Sequence, residues 1–192
     1  MVEKYTTKDL LIIDNFIDDP DVYLDICKHT KFYNKGINTI DGVSLYEDQS
    51  NIPNGLWSGL RSGHLEYIAP KEYRQLAQKI CHSLSNTPLQ LDGYIVDMFF
   101  HYGPGIIPNN DSWWHIDKDY KVAGVIYLNK VLPADTGFGT KIILGKENVF
   151  VAENRFNRLV LYNSSLMHRP EACFGTTADD ARLTLTIFLD GP

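Results

Sequence analysis

Two residues two apart, His115 and Asp117 in "SWWHIDKDY", carry the types needed to hold a metal ion. An imidazole nitrogen and a carboxylate oxygen both bind divalent transition metals. On an extended strand, residues i and i+2 point to one face, so both could reach one ion. With 6 His in 192 residues, such a pair also arises easily by chance. His64 and Glu66 in "SGHLEY" have the same spacing. The neighbours must decide between them. Three histidines lie after residue 100: His101 before "YGPG", His115, and His168 in "SSLMHRPE". The 51 residues from Asp117 to His168 (168 − 117) hold three or four short strands. In a jelly roll such strands return a later histidine to the first pair. Two His and one carboxylate on one face leave three coordination positions open, the arrangement of non-haem Fe(II) oxygenases. His64 and Glu66 have no such later partner.

The positioning elements follow from periodicity and turn signals. "LLIIDNFI" (10–17) is apolar enough for a strand. "DDPDVYLDICKHTKFY" predicts a helix from near Pro20, because Pro suits a first helical turn. "PKEYRQLAQKICHSLS" (70–85) places Tyr73, Leu76, Ile80 and Leu84 at helical spacing. Between the helices, residues 34–63 contain five Gly and scattered Asn and Ser, which predicts a long irregular segment with one short strand near Val43–Leu45. Strands are expected at 94–102, 123–129, 140–144, 148–152, 158–163 and 182–189, separated by turns such as "YGPG" and "PADTG". Helices first and antiparallel strands after define an α+β protein of one domain, residues 1–192. Its core, about 91–190, is a jelly roll.

Composition narrows the partners. Hydrophobic content is 44%, charged content 22%, and net charge −6. These values fit a soluble globular domain and argue against broad electrostatic attraction to nucleic acid or an anionic membrane. No apolar run approaches a membrane span, and no signal-like run opens the chain. Cys27, Cys81 and Cys173 are far apart and odd in number, which favours a reduced, cytoplasmic setting.

The ordered pieces "FHYGPG", "HID", "VIYLN", "GFGT", "NRLVLYNSSLMH" and "ARLTLTIFL" resemble the 2-oxoglutarate/Fe(II)-dependent dioxygenases, especially their prolyl 4-hydroxylase-like branch. The resemblance covers about half the chain, residues 94–189, and more weakly "LLIIDNFIDDP". It implies a double-stranded β-helix with the N-terminal helices packed on the major sheet. It implies Fe(II) held by His115, Asp117 and His168, with 2-oxoglutarate as co-substrate, O2, and ascorbate as reductant. It implies hydroxylation of a substrate C–H bond, in a prolyl or other protein residue or in a small molecule, coupled to decarboxylation of 2-oxoglutarate to succinate and CO2. The far carboxylate of 2-oxoglutarate needs a cation. Arg182 fits, since a guanidinium clamps a carboxylate through two parallel hydrogen bonds. Thr184 shares its face as a second donor, and Tyr102 and Tyr127 match positions whose phenols contact the co-substrate. Arg158 and Arg169 are rival cations. Arg169 is expected to face away from His168, and Arg158 to be a surface charge. Trp113 and Trp114 fit a substrate entrance or ordinary packing. With no helix expected after residue 189, segment 34–63 is the expected lid. Two other outcomes remain: demethylation of nucleic acid or protein on the same scaffold, and a jelly roll that binds metal without catalysis.

Overall fold

A nine-residue strand, Arg182–Asp190, organises the fold. Its sequence alternates, so Leu183, Leu185, Ile187 and Leu189 leave one face and Arg182, Thr184, Thr186 and Phe188 the other. The computed structural model describes residues 4–33, 39–40, 43–44, 59–103, 105, 113–134, 137–146, 148–176 and 180–191. In chain order the strands are β1 (Lys4–Thr6), β2 (Leu10–Ile13), β3 (Phe32–Tyr33), β4 (Thr39–Ile40), β5 (Val43–Ser44), β6 (Leu60–His64), β7 (Ile95–Gly103), β8 (Val122–Tyr127), β9 (Thr140–Leu144), β10 (Asn148–Ala152), β11 (Leu159–Asn163), β12 (His168–Pro170) and β13 (Arg182–Asp190). The helices are α1 (Pro20–Lys28), α2 (Leu65–Ile68) and α3 (Pro70–Leu84). α1 and α3 both carry Pro in the first turn, where its missing N–H costs nothing.

β13 pairs antiparallel with β7 from Arg182↔Gly103 to Asp190↔Ile95, and with β8 on its other side. Both neighbours lie within one eight-stranded sheet, ordered β1-β2-β11-β8-β13-β7-β6-β3. A second sheet, β10-β9-β12, faces it. Phe99, Val125, Tyr127, Val160, Tyr162 and Phe188 of the large sheet form one buried cluster with Ile142 and Ala152 of the small one. The opposite faces of the same strands join a second cluster. There Met98, Phe100, Leu161, Leu183, Leu185 and Ile187 meet Tyr23 and Cys27 of α1 and Leu76, Ile80 and Leu84 of α3. Gly124 lets β11 approach β8, since a Cβ there would stand 2.2 Å from the Val160 carbonyl oxygen. No helix among the described residues is long and apolar enough to cross a membrane.

Three expectations are corrected. The first strand ends at Ile13, not residue 17. Asn15 takes φ 53, and Asn157 captures the chain beyond it, accepting from Ile17 N at 2.7 Å and donating to Ile17 O at 2.7 Å. Residues 60–63, read as irregular, lie in a strand, because pairing with β7 supplies the order that the local sequence "LRSGH" lacks. The register breaks between Arg61 and His64, where Ser62 Oγ accepts from Phe100 N at 2.9 Å. Arg158 is buried rather than a surface charge. It grips Asp14 with Nε and Nη2, the latter at 2.8 Å, and so ties the start of β11 to the end of β2. Arg158 in turn holds the Asp14 carboxyl below its ordinary value, first through these hydrogen bonds and then by its charge, against the opposing effect of burial. The remainder of segment 34–63 apart from 39–40, 43–44 and 59, and with it the expected lid, lies outside the described residues.

Candidate active site

His115 and His168 are brought together by backbone pairing. His115 N donates to His168 O at 3.1 Å, and His168 N donates to His115 O at 2.9 Å. Directly opposed residues in such a pair send side chains to one face, and the two rings stand 4.3 Å apart. Two residues on, Asp117 N donates to Ser164 O at 3.0 Å, which holds the carboxylate on that same face. His168 Nε2 lies 3.2 Å from Asp117 Oδ2, and His115 Nε2 lies 3.8 Å from Oδ1. The three ligand atoms all lie within 4.8 Å of one another. Among the described residues this is the one such cluster of three; His64 instead turns Nδ1 toward Asp97, at 3.4 Å.

Each ring is oriented by a backbone carbonyl two residues earlier. His115 Nδ1 meets Trp113 O at 2.7 Å, and His168 Nδ1 meets Leu166 O at 2.9 Å. A carbonyl oxygen only accepts, so both Nδ1 atoms carry the proton and both Nε2 atoms turn to the carboxylate. Metal-binding histidines are commonly set in this way. Burial, then the neighbouring His168, pushes the His115 pKa down, so its imidazole is neutral and presents a lone pair at Nε2. A lone pair facing a carboxylate needs a cation or a proton between them. The donor set therefore fits a borderline metal such as Fe(II). Trp113 is 2% exposed, a packing residue rather than the lining of an entrance.

A cavity of about 60 Å³ opens beside this group. That is well above the ~10–15 Å³ needed for one water. His115, Asp117, His168, His101, Tyr162 and Arg182 are among its lining residues. Arg182 is 3% exposed. Its Nε donates to Phe138 O at 3.0 Å, and Nη2 reaches Gly139 O and Thr140 Oγ1, both at 3.4 Å. No carboxylate lies within ion-pair reach of it among the described residues. A guanidinium removed from water without a counter-charge is costly, which fits an anionic ligand at this end. Thr184, wholly buried, follows Arg182 on the inner face; its hydroxyl has no hydrogen-bond partner among the described residues.

The expected tyrosines separate. Tyr127 lies under Arg182, with the guanidinium 5.5 Å from its ring centroid. Its hydroxyl donates to Ala152 O at 3.0 Å and accepts from Thr140 at 2.7 Å, so it supports Arg182 through Thr140. Burial pushes its phenol up, and it stays protonated. The structure does not bring Tyr102 to the cavity. It leaves β7 on the face of Met98 and Phe100, packs edge-on to Phe32 and donates to Thr176 O at 3.1 Å. The alternation of β7 turns His101 inward in its place. Burial, then Arg61 and Arg182, holds the His101 pKa well below its ordinary value, so a neutral ring stands between two cations. Arg169 contributes to the cavity wall despite its expected outward direction, with its guanidinium 5.2 Å from the Trp114 ring centroid. The Gly-rich composition of 34–63 hid Arg61; its pairing with β7 is tertiary.

No known family's sequence profile matches the chain, and no curated protein matches it in sequence. Solved structures do match in fold. A prolyl hydroxylase from Trichoplax adhaerens, solved with a hypoxia inducible factor oxygen degradation domain peptide fragment, superposes with a TM-score of 0.66 at 16% identity. The match covers 96% of this chain and 84% of that one. A Pseudomonas putida prolyl-4-hydroxylase gives 0.57 at 14% identity, covering 96% and 93%. The non-heme alpha ketoglutarate dependent epimerase of nogalamycin biosynthesis gives 0.60 at 10%, covering 95% and 78%. The chain thus has the double-stranded β-helix fold of the 2-oxoglutarate-Fe(II) oxygenases, and its resemblance to their prolyl hydroxylase-like branch extends from the motifs to the whole fold.

Proposed function

We propose that this protein is an Fe(II)- and 2-oxoglutarate-dependent oxygenase that hydroxylates a C–H bond. The observation that carries this is one cavity with two ends: a His–Asp–His cluster oriented by backbone carbonyls, and a buried guanidinium with no carboxylate partner among the described residues. His115, Asp117 and His168 would hold the iron. Arg182 would bind the far carboxylate of 2-oxoglutarate with its fork, and the Thr184 hydroxyl would donate to the same group. Tyr127 and Thr140 keep Arg182 aimed, and the neutral His101 ring spares the cavity a third positive charge. When bound, iron and 2-oxoglutarate supply the oxidising chemistry, decarboxylation to succinate and CO2 coupled to oxygenation of the substrate; the protein contributes orientation and exclusion of water. The peptide complex of the Trichoplax neighbour supports a prolyl or other peptide residue as substrate. The epimerase shows that a shared fold does not dictate the outcome at the C–H bond.

The test is metal content together with 2-oxoglutarate turnover. The wild-type protein should bind one Fe(II) per chain and form succinate when offered substrate-containing cell fractions. His168→Ala should lose both while keeping its circular dichroism spectrum. Normal iron content and succinate formation in His168→Ala would remove the metal assignment.

A further inference from the structure

Arg61 stands on β6 directly opposite His101 of β7, so its side chain leaves toward the same inner face. Its guanidinium carbon lies 4.8 Å from the Phe99 ring centroid and 5.5 Å from that of Phe188. Two aromatic faces hold the planar cation in place, and its Nε is buried. Gly59 lets this edge close on β7, because a Cβ there would come within 2.2 Å of Tyr102 O and 2.6 Å of His101 Nε2. His101, its direct cross-strand partner, lines the cavity together with His115, Asp117 and His168, so Arg61 stands beside the metal cluster.

The Arg61 and Arg182 guanidinium groups lie against different residues of the inner face. Arg182 and Phe188 line the same cavity, yet they are six residues apart on one strand, about 20 Å of extended chain. Arg182 sits among Phe138, Gly139 and Thr140. Arg61 sits on Phe99 and Phe188, where Tyr120 also stacks, 4.7 Å from the Phe188 ring. In the oxygenase reading the Arg182 end takes the co-substrate, which leaves the aromatic end to the molecule that is oxidised.

We propose that Arg61 anchors a carboxylate on the primary substrate, so that the preferred substrates are carboxylic acids seated with their apolar part against Phe188, which lines the cavity. The naming of that ligand as substrate rests on the oxygenase reading; the carboxylate site itself rests on the placement of Arg61. A guanidinium fork held by two rings matches a planar carboxylate better than it matches a neutral amide.

The experiment titrates N-acetyl amino acids, each beside its own carboxamide, into anaerobic Fe(II)-loaded protein, with and without 2-oxoglutarate. Binding is followed by calorimetry, and 2-oxoglutarate affinity is measured separately. At least one acid should bind about tenfold more tightly than its amide, a difference that one partly buried charge pair supplies. Arg61→Gln should erase that preference, Arg61→Lys should keep part of it, and 2-oxoglutarate affinity should stay within about threefold in both. Arg61→Lys retains the charge and serves as the folded comparison if Arg61→Gln is unstable. The proposal is overturned if no acid is preferred over its amide or if the preference survives in Arg61→Gln. It is equally overturned if Arg61→Gln weakens 2-oxoglutarate as much as Arg182→Ala does, for then Arg61 serves the co-substrate. Acid binding that depends on Arg61, in a protein that neither binds 2-oxoglutarate nor forms succinate, would uphold the carboxylate site and sink the oxygenase reading.

Discussion

Along β13, Leu183, Leu185, Ile187 and Leu189 turn toward the cluster that includes α1 and α3, while Arg182, Thr184, Thr186 and Phe188 leave the opposite face, where Arg182, Thr186 and Phe188 line the cavity. Both faces are buried, yet they differ in what burial does. On the first, the side chains join an apolar cluster, and burial is a direct stabilising contribution. On the second, a guanidinium with no carboxylate partner and a hydroxyl with no hydrogen-bond partner among the described residues are removed from water. That face costs folding free energy and places a cation on the cavity wall. One strand thus carries stability on one side and, under the proposed function, ligand binding on the other, separated only by the two-residue alternation of its backbone.

The contrast breaks most sharply at Arg182. If it receives the far carboxylate of 2-oxoglutarate, Arg182→Ala should raise the 2-oxoglutarate dissociation constant by roughly 30- to several-thousand-fold, the equivalent of about 2–5 kcal/mol. Fe(II) binding should change little, and Arg182→Lys should recover only part of the loss. Anaerobic titration of the Fe(II) protein measures this, and unchanged affinity in Arg182→Ala would move the anion elsewhere. Three residues along, on the other face, Leu185→Ala should leave ligand affinity nearly intact and lower unfolding stability by about 2–5 kcal/mol, read from urea midpoints. A Leu185 variant that lost affinity without losing stability would erase the division between the faces.

The smallest effect belongs to Thr184. Thr184→Val removes a hydroxyl that has no partner among the described residues, so stability should hold or rise by about 1 kcal/mol. The 2-oxoglutarate affinity should fall by roughly 10- to 150-fold, the equivalent of the ~1.5–3 kcal/mol of one lost hydrogen bond to a charged group. Loss of stability with unchanged affinity would make Thr184 a packing residue.

Much of this arrangement is legible in the chain. Alternation and turn residues place β9 and β10 where they form and β7, β8, β11 and β13 to within two residues at each end. Pro20 and Pro70 mark the starts of α1 and α3. His115, Asp117, His168 and Arg182 stand out because their types are chemically special and their order along the chain is specific. Tyr102 and His101 were not separable in that way. They are adjacent, both suit a polar pocket, and only the pairing of β7 with β13 and β6 decides which one faces inward. A register shift of one residue would exchange them.

Local sequence determined the elements and the inventory of reactive groups, because strand alternation, helix starts and metal-ligand chemistry are properties of neighbouring residues. Tertiary structure alone decided which groups meet. Arg158 finds Asp14 across 144 positions, and Arg61 becomes part of a strand through pairing with β7 on one side and β3 on the other. His168 reaches His115 through two backbone hydrogen bonds between distant segments. These contacts depend on how sheets stack and which residue lies opposite which, and that geometry is set by the packing of the whole chain.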